Sequence, residues 1–202
     1  MSDRIKAIVF DIGNVLVRWD PRLAFVPLLP SLTEAEAFLR RTDFMAQNLR
    51  ADAGESFADL AREVADPADR ALLATYVARY AASVPEAIEG TWALLDRLRG
   101  RGLQIHAITN WSAETWPAGV AAHPRLGRAF GVTVVSGQEG VIKPDPRIFA
   151  LLCDRAGLVP ADCLFIDDGP KNVSGAQACG MAAERFTTPE ALEAALAARG
   201  LL

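Results

Sequence analysis

The sequence is short of several things, and each shortage removes a class of explanation. Its 202 residues include two histidines and three cysteines. Cys153, Cys163 and Cys179 are too far apart for a Cys-x-x-Cys metal site and lie in apolar segments, so they read as buried thiols. His106 falls in the strand-like run Leu103–Thr109 and His123 in a loop beside Pro124, which leaves little to activate a serine or cysteine nucleophile. Formal net charge is −4, with no long block of like charge and no basic stretch. A nucleic-acid partner is therefore not expected. Long hydrophobic runs are missing too. The first apolar run, Ile5–Phe10, is interrupted by Lys6 and is far too short for a signal peptide or a membrane span, so no membrane partner is expected and the chain reads as cytoplasmic. No apolar stripe is surplus to a core, and the oligomeric state is not written in the sequence.

What is present is the composition of a globular protein, with 51% hydrophobic and 23% charged residues. Length allows one good core, or a core with a small inserted domain. Short apolar runs at Ile5–Phe10, Leu103–Ile108, Val132–Val135, Cys163–Ile166 and Met181–Phe186 alternate with helical patterns such as Ile88, Trp92, Leu95 and Leu98, or Ile148, Leu152 and Ala156. That alternation predicts an α/β fold, a parallel sheet with helices on both faces. Asp145 followed by Pro146 predicts an N-cap and first helical position, Gly100 and Gly102 a turn from helix to strand, and Ala191–Ala198 a closing helix.

One region breaks the alternation. Between about Asp20 and Pro85 every signal is helical: Phe57, Leu60, Ala61 and Val64 share one face, followed by Leu72, Tyr76, Val77 and Tyr80, with prolines at 21, 27, 30, 67 and 85. Residues 20–85 are expected to form a helical domain inserted into an α/β core made of residues 1–19 and 86–202.

In open α/β sheets ligands bind at the carboxyl ends of the strands, so the residues after each apolar run matter. They are Asp11 after the first, Thr109 and Asn110 after the second, Lys143 beyond the third, and Asp167 and Asp168 after the fourth. Each alone is ordinary loop or cap chemistry. Together, three carboxylates at one edge repel one another unless a cation offsets them. A hard divalent ion held by oxygens, Mg2+ beside phosphate, is the natural answer, with Lys143 and Thr109 left for the remaining phosphate oxygens.

Four segments resemble the motifs of the haloacid dehalogenase superfamily, in the correct order and across nearly the whole chain: Val9-Phe10-Asp11-Ile12-Gly13-Asn14-Val15-Leu16, Ile108-Thr109-Asn110, Val141-Ile142-Lys143-Pro144-Asp145-Pro146, and Phe165-Ile166-Asp167-Asp168-Gly169-Pro170-Lys171-Asn172. The helical insert is similar to the family's cap in its commonest position, the C1 type of subfamily I, on a Rossmann-like core. The resemblance implies that Asp11 is a nucleophile forming an aspartyl-phosphate. It implies Mg2+ held by Asp11, the Gly13 carbonyl and Asp168, with Asp167 acting through water or as a further ligand. Thr109 and Asn110 would bind phosphate oxygens, Lys143 would neutralise phosphoryl charge and orient Asp11, and Asn172 would position the Asp167–Asp168 loop.

The first motif departs from the family's phosphatases, most of which carry a second aspartate two residues after the nucleophile as general acid and base. Here that residue is Gly13. Three readings accommodate the change. The first is a phosphatase of small phosphorylated metabolites; some sugar-phosphate phosphatases of the family share an Asp-x-Gly-Asn-Val motif. The second is a 2-haloacid dehalogenase, whose halide leaves without protonation; such enzymes need no magnesium and typically carry serines where this chain has Asp167 and Asp168. The third is a non-catalytic member binding a phosphorylated ligand or a protein.

The cap is expected to supply substrate contacts. Trp19 and Asp20 stand at its entrance, and Trp111, directly after Thr109-Asn110, is a candidate pocket wall. Trp116 reads as packing, Phe44 and Met45 as cap core before cleft, and Arg40 and Arg41 as a solvated helix face.

Overall fold

The apolar runs form five strands, β1 (Ala7–Phe10), β2 (Gln104–Thr109), β3 (Thr133–Val135), β4 (Cys163–Asp167) and β5 (Ala182–Arg185), in a computed structural model that describes residues 5–202. Residues 1–4 of the expected core lie outside the described residues. All pairings are parallel, in the order β3-β2-β1-β4-β5. The chain steps from β1 to β2 and β3 on one side, then returns to β4 and β5 on the other. β1 therefore sits at the switch point where a crevice opens beyond the strand ends.

Alternation along β1 shows how the sheet is covered. Ala7 and Val9 join one apolar cluster with Ile148, Phe149, Phe165 and Val173, while Ile8 and Phe10 join another with Trp92, Leu95, Leu192 and Leu196. Successive side chains of a strand face opposite sides, so helices α10 (Pro146–Ala156) and α11 (Pro170–Ala178) cover one face, and α7 (Glu89–Gly100) and α12 (Pro189–Ala198) the other. The Rossmann-like sheet with helices on both faces is as the sequence predicts. Asp145 caps α10 by accepting from the Arg147 N–H at 2.9 Å, and Pro146 opens the helix. Two short helices, α8 (Trp116–Ala122) and α9 (Ser136–Glu139), follow β2 and β3.

Between β1 and α7 lie α1 (Arg22–Phe25), α2 (Leu32–Arg41), α3 (Phe44–Asp52), α4 (Phe57–Glu63), α5 (Pro67–Leu73) and α6 (Tyr76–Arg79), with no strand. Ser31, Ser56 and Asp66 cap three of them through side-chain oxygens. Tyr76 is the hub of this segment: its ring lies 4.9 Å from Phe44, 5.0 Å from Phe57, and 5.6 Å from Phe25 and Tyr80. Tyr80 in turn meets Trp111 at 5.4 Å, so these aromatics and the upper sheet face share one apolar cluster. The apolar series Leu72–Tyr80 is not one helix. It spans the end of α5, the single turn α6 and a 3-10 turn over Tyr80–Ser83, because the Thr75 hydroxyl donates back to the Leu72 carbonyl at 2.7 Å where the first helix stops.

The small and sulfur-bearing residues behave as structure. Cys153 and Cys163 are buried free thiols, and Cys179 is half-buried. His106 Nδ1 accepts from the Val132 N–H and His123 Nε2 meets the Val84 carbonyl. Among the described residues no helix is long and apolar enough to cross a membrane.

Candidate active site

At the carboxyl edge of the sheet Asp11 follows β1, and its N–H donates to the Ile166 carbonyl of β4 at 2.8 Å, fixing it beside Asp167 and Asp168. The next residues turn sharply. Asn14 takes a left-handed conformation (φ 56), which asparagine tolerates, and its Oδ1 accepts from the Trp19 N–H. Asp11 Oδ1 takes two donors, the Ile12 N–H at 2.7 Å and Lys143 Nζ at 2.8 Å. Among the described residues Oδ2 has no protein donor.

Lys143 is the centre of the charge cluster. Its ammonium reaches Asp11 Oδ1, Asp167 Oδ2 at 2.7 Å and the Ile108 carbonyl at 3.1 Å, which uses all three N–H bonds. The Asn110 amide holds the Lys143 backbone from both sides: Oδ1 accepts the Lys143 N–H at 2.8 Å and Nδ2 donates to its carbonyl at 3.1 Å. The Asn110 side chain is thus occupied in placing the lysine.

Asp167 is fully buried and committed to protein donors. Oδ1 accepts from the Gly169 N–H and Asn172 Nδ2, and Oδ2 from Lys143 and, more distantly, the same Asn172. Asp168 instead borders a cavity of about 210 Å³ together with Asp11 and Gly13. Oxygens of Asp11, Asp167 and Asp168 lie within 4.8 Å of one another.

The electrostatics tell whether this donor set suits a metal. Burial raises the Asp11 carboxyl; Lys143 pulls it back and Asp167 pushes it up further. Burial also raises Asp168, again reinforced by Asp167. For Lys143, burial works against the ammonium, but Asp11 and Asp167 outweigh it and hold the proton more tightly. One lysine among three carboxylates leaves negative charge uncompensated in a buried place. Hard oxygen donors, close together and short of positive charge, fit a divalent cation such as Mg2+.

The cavity has a second wall. Beyond Asp11, Gly13, Asn14, Asn110 and Asp168 from the sheet edge, it is lined by Trp19 from the loop before α1 and by Met45, Asn48, Leu49, Asp52 and Tyr80 from the helical segment, with Trp111 and Thr115 at the side. Trp111 is a wall residue and also packs edge-on against Trp116 at 5.2 Å. Of the two residues considered for the cleft, Phe44 is fully buried in the helical core and Met45 lines the cavity at 56% exposure. Arg41 pairs with Asp69, and Asp20 with Arg22. Thr109 is buried at the end of β2 and is not among the residues that line the cavity.

Sequence reading missed Asp52, Asn48 and Tyr80. Nothing local marks them, because only tertiary packing brings α3 and the Tyr80 turn over the strand ends.

A model of the haloacid dehalogenase-like hydrolases matches residues 5–180. Over 200 residues the chain is 28% identical to a mouse protein, acyl-CoA dehydrogenase family member 10, covering 92% of this chain but only 18% of that protein. It is also 28% identical to a Mycobacterium tuberculosis phosphatase, across 89% of this chain and 86% of that one. Among solved structures, a Bacteroides thetaiotaomicron enzyme of the same family, crystallised with magnesium and inorganic phosphate, superposes with a TM-score of 0.71 at 19% identity, covering 91% of this chain and 95% of its own. The strand order, the carboxylate cluster around Lys143 and the family match agree, and the chain belongs to the haloacid dehalogenase-like hydrolases.

Proposed function

We propose that the protein is a magnesium-dependent phosphatase of a small phosphorylated metabolite, sugar phosphates included, working through an aspartyl-phosphate on Asp11. The observation that carries this reading is the cluster of Asp11, Asp167 and Asp168, the first two sharing one buried lysine and Asp11 and Asp168 bordering a cavity. Three carboxylates so close together call for an offsetting cation, which phosphoryl transfer uses and halide displacement does not require.

In this reading Asp11 is the nucleophile. The Ile12 N–H and Lys143 hold Oδ1, which leaves Oδ2, without a protein donor among the described residues, as the oxygen to meet phosphorus. The phosphoryl group passes to Asp11 as the bond to the leaving oxygen breaks, and water then attacks the same phosphorus, releasing phosphate and the Asp11 carboxylate. Mg2+, held by Asp11, the Gly13 carbonyl and Asp168, would supply charge neutralisation at the phosphoryl oxygens. Asp167 acts behind them, orienting Lys143 and the Asp168 loop with help from Asn172. Thr109 and the Asn110 segment contribute phosphate contacts, and Trp111 forms a wall for the rest of the substrate. Residues 20–85 act as a cap over a core made of 1–19 and 86–202, supplying Met45, Asn48 and their neighbours above the chemistry, with Trp19 of the core at the junction. Closing such a cap excludes water.

The test measures phosphate release from aryl and sugar phosphates with magnesium or EDTA, alongside halide release from 2-chloropropionate. Magnesium-dependent phosphate release, abolished in a folded Asp11→Asn variant, is the expected result. EDTA-resistant halide release, or turnover retained in Asp11→Asn, contradicts the reading.

A further inference from the structure

Leaving-group protonation is the one requirement of this chemistry that the strand edge does not meet. At Gly13 there is no side chain, and among the residues lining the cavity from the sheet only Asp11 and Asp168 are acids, both already engaged in nucleophile and metal roles. Across the cavity stands a third acid. Asp52 closes α3, is 7% exposed, and lines the same cavity as Asp11 and Gly13. We propose that Asp52 is the general acid and base of the reaction, supplied from the helical segment in place of the residue that Gly13 lacks. The proposal rests on the phosphatase reading above.

Asp52 is held as a working group would be. The Ser136 hydroxyl, fully buried at the end of β3, accepts from the Trp111 N–H at 2.9 Å and donates to the Asp52 carbonyl at 2.6 Å, tying α3 to both loops of the site. Its carboxylate Oδ2 accepts from Asn48 Nδ2 at 2.9 Å, and Asn48 also lines the cavity. Among the described residues it has no arginine or lysine partner of its own. A buried acid without a salt bridge, bordering a cavity, is costly for stability and needs another reason to be there.

Its surroundings suit proton transfer. Burial pushes the Asp52 carboxyl up to about 7, while the Ser112 backbone N–H and the charge of Lys143 pull it down. The other ionisable groups facing it are the phenols of Tyr76 and Tyr80, both held neutral by burial, with Asp11 and Asp168 across the cavity. An acid poised near neutrality can both give and take a proton under working conditions.

The proton balance is complete. As Asp11 attacks phosphorus, the pair of the breaking P–O bond goes to the leaving oxygen, which takes the Asp52 proton and departs as an alcohol. Asp52 is then a carboxylate. When water attacks the aspartyl-phosphate, its proton returns to Asp52, phosphate is formed and the Asp11 carboxylate is regenerated.

The test uses kcat/KM, which reports the first phosphoryl transfer, across phenyl phosphates graded from a good leaving group (para-nitro) to a poor one (para-methoxy). The wild type is expected to vary little along the series. Asp52→Asn should fall progressively, reaching about 10²-fold or more for the poorest leaving group, while Asp52→Glu keeps the shallow dependence. In the Asp52→Asn background, Gly13→Asp should restore the poor leaving groups selectively; a Cβ at Gly13 meets nothing within 4 Å, so the replacement acid has room. An equal loss across the series would make Asp52 a packing residue and overturn the proposal, as would an unchanged slope. Wild-type silence on every ester would instead overturn the phosphatase reading from which the role follows.

Discussion

Replacing Lys143 by methionine tests the charge arrangement that organises the site. The ammonium is 1% exposed and bridges Asp11 and fully buried Asp167 at 2.8 and 2.7 Å. Methionine fills similar volume, so the change is chiefly one of charge. It leaves two close carboxylates in a buried place with no cation between them. Breaking a buried pair in this way costs about 3–5 kcal/mol, a large part of the roughly 5–15 kcal/mol that stabilises an ordinary domain. Asp167→Asn alone leaves a neutral Lys143–Asp11 pair and should cost about 1–3 kcal/mol through disturbed hydrogen bonds. In the double variant the repulsion between the two carboxylates is gone. Its loss should fall short of the sum of the single losses by about 2 kcal/mol, within the range found for residues in direct contact. Urea unfolding in EDTA gives each value, with an unchanged m confirming that only stability moved. Additivity within about 0.5 kcal/mol, or a Lys143→Met cost below about 1 kcal/mol, would refute the account of one cation holding two acids apart.

Two further outcomes follow from other parts of the structure. A Cβ at Gly137 would lie 2.4 Å from the Ala113 nitrogen and 2.8 Å from the Trp111 carbonyl, both backbone atoms. Gly137→Ala should therefore cost about 1–3 kcal/mol in urea unfolding and lower kcat/KM by loosening the Ser136 bridge, whereas Gly100→Ala, in open space at the end of α7, should not destabilise the chain. Burial lowers the His106 pKa from 6.5, and its Nδ1 is already an acceptor for the Val132 N–H, so the folded protein keeps it neutral while the unfolded chain takes up a proton. Its contribution is full above about pH 6.5 and is lost as pH falls below it. The unfolding midpoint of the wild type should drop more steeply on acidification than that of His106→Gln; parallel pH profiles would show that His106 is not the group involved.

The sheet was legible because parallel strands covered on both faces read as plain apolar runs. Asp11, Lys143, Asp167 and Asp168 could be picked out because the topology of such sheets brings strand ends together, whatever lies between them in sequence. The division of labour inside that cluster was not legible. Asp167 looks like Asp168 in the sequence, yet Gly169, Asn172 and Lys143 use all its oxygens and only Asp168 faces the cavity. Asn110 reads as a phosphate ligand, but its amide is spent on the Lys143 backbone. The far wall was less legible still. Asp52 and Asn48 sit on a helix of ordinary composition, and their meaning comes from the packing of Tyr76 and its neighbours, which brings α3 over the strand edge. Such contacts depend on residues distant in sequence and leave no local pattern.

The central claim is that Asp11 carries the phosphoryl group. Mixing the enzyme with an aryl phosphate and magnesium, quenching in acid during turnover, and mapping peptides by mass tests it directly. The account predicts one phosphoryl group on the peptide containing Asp11, labile to hydroxylamine and absent in Asp11→Asn. Steady phosphate release with that peptide unmodified throughout, or a phosphoryl group on any other residue, would contradict it.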